Sequence, residues 1–232
     1  DLGAPVASPA RGHTRMTRLG RMPGVLSAVG AYWVTVAVLL YLTMAGTQGV
    51  LVYPLDDTYI HMAMAKHMAV HGVWGVTAEQ FTSASSSPLW TAMLALTYSV
   101  VGVSDWAPLV LNLIIGTAVV VSLYLLLGSF ELAPAAAALV STAMALAGTL
   151  PTMTVVGMEH TLHMLVTIWF AVLGARLADP DEPAGLWQVA TLAAGLTLTR
   201  YEGMFAVAAM VVALSVAGRW RAGAVVAVAG AV

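Results

Sequence analysis

Between Val25 and Gly46 the chain runs for about 22 residues without a charged side chain, enough for one helix to cross the roughly 30 Å of hydrocarbon in a bilayer. Further apolar stretches lie at 88–103, 107–128, 134–150, 161–177, 186–199 and 203–218. Lipid offers the backbone no hydrogen bonds, so a chain of this kind pairs its amides within helices or within a closed barrel, and stretches this long and unalternating predict helices. Hydrophobic residues make up 60% of the chain and charged residues 9%, against about 25% charged in an ordinary soluble domain. That excludes a soluble globular protein. It also excludes a disordered chain, whose signature is the reverse, and a basic surface for nucleic acid.

Cysteine is absent, which removes disulfides, thiolate catalysis and Cys-ligated zinc. Residues 1–24 are basic through Arg11, Arg15, Arg18 and Arg21 against Asp1, while ten of the eleven acids lie further on. The apolar run behind this leader is too long for a signal-peptide core. It reads as a spanning anchor with its arginines in the cytoplasm. The stretch 88–103 decides the topology. If it crosses, Lys and Arg divide five to four across the membrane. If it lies along the outer surface, only Lys66 and Arg200 stay outside and seven remain inside, as the positive-inside rule requires.

The expected fold is therefore all-α. It is a polytopic transmembrane bundle of six crossings with a long first external loop, 47–106, carrying amphipathic juxtamembrane helices at Thr58–Val70 and Pro88–Val101. The organisation is a cytoplasmic leader (1–24), a membrane module (25–218), and a cytoplasmic turn opening a further helix (219–232). The chain starts at Asp1 and ends inside the apolar run Ala222–Val232, so it is read as part of a longer protein.

This topology gathers Asp56, Asp57, Glu79, Asp105, Glu159 and Glu202 at the outer face with Lys66 and Arg200. A face of that charge suits a general base or a divalent cation. Asp56 and Asp57 stand where the first helix leaves the membrane, one as the expected N-cap of the next helix and the other in its first turn. As neighbours they can also repel and raise one pKa, making a better base. His61, His67 and His71 suit a wet interface or serve as ligands. Glu159 and His163 share a helical face at the mouth of a crossing, as a solvated end or as functional groups. Arg200 and Glu202 interrupt an apolar hairpin, as a structural ion pair or with the arginine holding a phosphate.

The order Pro54-Leu55-Asp56-Asp57-Thr58-Tyr59-Ile60, Ser85-Ser86-Ser87-Pro88-Leu89-Trp90, Gly157-Met158-Glu159-His160-Thr161 and Thr199-Arg200-Tyr201-Glu202-Gly203 resembles the GT-C superfamily of polyprenyl-phosphate-dependent glycosyltransferases. The likeness is to the branch of aminoarabinose transferases, protein O-mannosyltransferases and mycobacterial arabinofuranosyltransferases. It covers about residues 25–218, and it departs from the family pattern at His160 and at Tyr201.

The resemblance implies an integral protein of a bacterial plasma membrane with its site on the external face, working in cell-envelope glycan synthesis. It implies a polyprenyl-phosphate-linked sugar as donor and a glycan, lipid or protein as acceptor. The reaction it implies is an inverting single displacement. Asp56 is the expected base, and Asp57 and Glu159 position the acceptor or, with His163, share a divalent metal. Arg200, Glu202 and Lys66 are expected at the phosphate and substrate. Rival classes are a secondary transporter, with Glu159, Arg200 and Glu202 as its ion path, and a noncatalytic membrane assembly subunit.

Overall fold

In the computed structural model the described residues are 18–130, 132–179, 181 and 185–231. They form helices joined by turns and loops, with no strand among them. In chain order the helices are α1 (Arg18–Gly46), α2 (Asp56–His71), α3 (Pro88–Val101), α4 (Ala107–Ser129), α5 (Pro134–Ala147), α6 (Leu150–Val156), α7 (His160–Ala178), α8 (Leu186–Thr199), α9 (Gly203–Val216) and α10 (Trp220–Ala229). The expected leader therefore joins α1 from Arg18 onward, and its first 17 residues lie outside the described ones.

Three helices are long and apolar enough to cross a membrane: Met22–Gly46 within α1, α4 and α7. A fourth crossing exists if α5 and α6 count as one bent span. The sequence predicts one segment over 134–150, but the helix breaks at Gly148-Thr149 and turns by 49° into α6. Thr149 takes a left-handed φ of 58° there, and Pro151 in the first turn of α6 has no N–H for a continuous ladder to use. The other two expected crossings, α8 and α9, have 14 residues each. At 1.5 Å per residue that is about 21 Å, short of the hydrocarbon thickness.

The three largest apolar clusters among the described residues hold the helices together. One joins Ala28, Tyr32 and Val36 of α1 to Val119 and Val120 of α4, Ala145 of α5 and the α6 pair Leu150 and Val155. The second packs α2 and α3 on α4 and α7 through Ala65, Trp90, Leu94, Tyr98, Ile115 and Leu162. The third is built by α7 to α10 around Phe170, Leu196, Val207, Leu214 and Val226.

The α3 residues Trp90, Thr91, Leu94, Ala95 and Tyr98 are all buried. Their spacing of three and four is one helical stripe, so α3 lies on the bundle with its other face open. Tyr53 staples the loop at both ends. Its hydroxyl donates to the Asp105 carbonyl at 2.7 Å and accepts the Leu109 amide at 3.2 Å.

The 47–106 loop, the start of α7 and the α8–α9 turn meet at one end of the bundle, which also carries Lys66 and Arg200. At the opposite end Arg219 donates to the Asp179 carbonyl at 2.9 Å, and Arg176 sits in the last turn of α7.

Candidate functional site

The site is built around the turn between α6 and α7. Gly157 makes that turn at φ +80°. A Cβ there would meet the Tyr53 ring at 2.5 Å, so both backbone conformation and space require glycine. Asn112, a buried amide in the apolar span α4, grips both sides of the turn. Its Nδ2 donates to the Met158 carbonyl at 2.9 Å, and its Oδ1 accepts the Thr161 hydroxyl. Thr58, beside Asp57 in α2, donates to the Val156 carbonyl at 2.9 Å. The 47–106 loop thus folds back onto the turn that carries Glu159.

Glu159 is fully buried. Arg200 donates through Nη1 to its Oε1 at 2.6 Å and through Nη2 to Glu202 Oε1 at 2.8 Å. His160 Nδ1 is 3.6 Å from the same Glu159 oxygen. The second oxygen, Oε2, is buried with no hydrogen-bond partner among the described residues, and His61 Nε2 faces it at 3.8 Å.

Burial pushes the Glu159 carboxyl up, but the His160 ring, its own backbone N–H and the nearby His61 outweigh it and hold the group below its ordinary range. Burial dominates at His61 and lowers its pKa, opposed by Glu159 and Asp57. His61 is therefore neutral at pH 7 and Glu159 ionised. Arg200 is held further up by its bonds to Glu202 and by the charge of Glu159, against a burial that lowers it.

The predicted residues divide into two groups. Glu159, Arg200 and Glu202 come together, and the Arg200–Glu202 pair is the ion pair entertained from sequence, with Glu159 added to it. Its guanidinium is met by two carboxylates, which offset the charge a phosphate would seek.

Asp56 and Asp57 stand exposed on the first turn of α2. The expected aspartate N-cap is replaced by Leu55, which makes no side-chain cap bond, and the Asp57 amide donates to Asp56 Oδ1 at 3.1 Å instead. Lys66 is exposed on α2. His163 lies one turn into α7, its ring Nδ1 buried and without a hydrogen-bond partner among the described residues.

Asp57, Glu159 and His163 do not assemble as a metal site. Among the described residues no three of His, Asp or Glu converge as ligands, and Arg200 already supplies the cation at Glu159.

Sequence reasoning passed over Thr91, Asn112 and Thr161. Asn112 carried a signal, a lone amide in a membrane-length apolar helix, where polar groups are costly and usually have a task. Thr91 carried none, since its partners are 6 and 30 residues away in sequence.

No protein-family model, curated protein or solved structure matches this chain.

Proposed function

We propose that this chain is a membrane glycosyltransferase that moves a sugar from a polyprenyl-phosphate donor to an acceptor hydroxyl at the outer face of a bacterial plasma membrane. The convergence at one end of the bundle of a folded-back acidic loop, a buried ionised Glu159 and its Arg200 and His61 neighbours supports this reading over a scatter of helix-end charges. A transport path would need charge along the bundle axis, whereas Glu159 and Glu202 meet at Arg200 at one end of the bundle and Asp56 and Asp57 stand exposed on α2 at that same end.

In the proposed reaction the acceptor oxygen attacks the anomeric carbon, the sugar–phosphate bond breaks with inversion, and the electron pair leaves on the lipid phosphate. Asp56, exposed and ahead of the buried cluster, takes the acceptor proton, while Asp57 and Glu159 position hydroxyl groups. Lys66, exposed on α2, meets the phosphate, and Arg200 keeps Glu159 charged and fixed. The glycan, lipid or protein acceptor approaches from the loop side, and the donor tail stays in lipid.

The test is transfer of labelled sugar from a panel of polyprenyl-phosphate sugars by the full-length protein in proteoliposomes, with and without chelator. Transfer from at least one donor is expected. No transfer across the panel, with the protein folded, overturns the proposal.

A further inference from the structure

A chain of hydrogen bonds leads to one ring nitrogen of His61, Nδ1. The Ser87 amide donates to Ser85 Oγ at 3.1 Å, Ser85 Oγ lies 2.9 Å from Thr91 Oγ1, and Thr91 Oγ1 lies 2.8 Å from His61 Nδ1. At the other side of the ring Nε2 faces a carboxylate oxygen. A bare lone pair there would be repelled, so we assign the proton to Nε2, which leaves Nδ1 to accept from Thr91.

An Nε2–H donor and the unpartnered acceptor Glu159 Oε2 therefore face each other across 3.8 Å. That is too far for a hydrogen bond between them. It suits one oxygen placed about 2.8 Å from each. Such an oxygen must accept one bond and donate another. A hydroxyl does both, as does a water it would displace; a carbonyl cannot donate and an ammonium cannot accept. Ser86, exposed to solvent, brings its own Oγ to 3.5 Å from the same nitrogen, on the side from which a ligand would have to reach it.

We propose that His61 Nε2 and Glu159 Oε2 form a seat for a single hydroxyl of a sugar, with Ser85 and Thr91 as the positioning residues that hold the imidazole tautomer. This deepens the transferase reading and rests on it, but it concerns binding and is tested apart from turnover. The hydroxyl belongs either to the donor sugar or to a glycan acceptor, and the two sources call for separate arms.

The full chain in nanodiscs is titrated with octyl glycosides of arabinose, mannose, glucose and galactose and with their monodeoxy forms, and then with polyprenyl-phosphate sugars and theirs. In the wild type, loss of one particular hydroxyl should weaken binding about tenfold, in the glycoside arm for an acceptor hydroxyl and in the lipid-phosphate arm for a donor hydroxyl. His61→Gln, whose amide nitrogen falls where Nε2 was, should keep that discrimination. His61→Asn, whose nitrogen falls at the Nδ1 position, should lose it, with the parent glycoside as weak as the deoxy form. A merely structural role for His61 would not separate these two variants.

Equal binding of every deoxy form by the wild type overturns the seat, as does binding of no probe, or the same discrimination in His61→Asn. Retained discrimination without any sugar transfer would instead count against the transferase reading and leave the seat standing.

Discussion

Arg200 reaches Glu159 across 41 positions of sequence and donates to its buried carboxylate at 2.6 Å. The guanidinium remains partly open, with 29% of its side chain exposed. Breaking such a pair from the arginine side strands a buried charge, which costs about 3–5 kcal/mol, and the open arginine argues for the lower figure. Arg200→Met should lower the thermal midpoint of the purified protein well beyond Glu202→Gln. Adding Glu159→Gln to Arg200→Met should recover most of the loss. Equal midpoints for Arg200→Met and wild type would show that the pair holds nothing together.

Acid should loosen the same corner in two stages. His61 has a lowered folded pKa, so below about 6.5, the ordinary imidazole value, the unfolded chain takes up the proton first and stability falls with pH. Glu159 is also lowered. Its contribution is complete above the ordinary carboxyl value near 4.3 and is lost as pH drops through the folded value below that. Unfolding midpoints measured from pH 8 to 4 should slope downward from about 6.5 in the wild type. The upper limb of that slope should be shallower in His61→Gln. Identical profiles would remove His61 from the linkage.

The α6–α7 turn should tolerate no side chain at Gly157. Alanine there combines a positive φ with a 2.5 Å approach to Tyr53, a cost of about 1–3 kcal/mol. Because Tyr53 also staples the loop, protease nicking between residues 73 and 87 should quicken in Gly157→Ala. Alanine at Gly46, where a Cβ meets nothing, should leave nicking unchanged.

The absence of cysteine makes topology directly measurable. Single cysteines at the exposed positions Ser83, Asp105 and Ala217 should divide, the first two reacting with an impermeant thiol reagent in intact cells and the third only after permeabilisation. Protection at Asp105 alone would make α3 a crossing.

The parts of this architecture set by local chemistry were readable from the sequence. α1, α4 and α7 follow from apolar length, and the two loop helices from their apolar stripes. The six-crossing count was not secured, because hydropathy cannot tell a 14-residue helix at the end of a broken hairpin from one that reaches across. Nor did it show that Gly148-Thr149 bends one segment into two. At the site, Glu159 and Arg200 were legible as ionisable groups in apolar surroundings. Their contact was not, since nothing local links residues 41 apart. The Ser85–Thr91–His61 chain was hidden for the same reason, and the N-cap expectation failed because backbone geometry put Leu55 where a capping side chain was anticipated.

Glycosyl transfer at this acidic end is tested most directly by the rate of sugar transfer from the polyprenyl-phosphate donor in wild type and in Asp56→Asn, with donor binding measured alongside. Asparagine keeps the size and much of the hydrogen bonding but cannot take the proton. Turnover should fall by about 10²-fold or more while donor affinity stays within about twofold. Unchanged turnover in Asp56→Asn would contradict the assignment of the base, and an absence of transfer in the wild type would contradict the function itself.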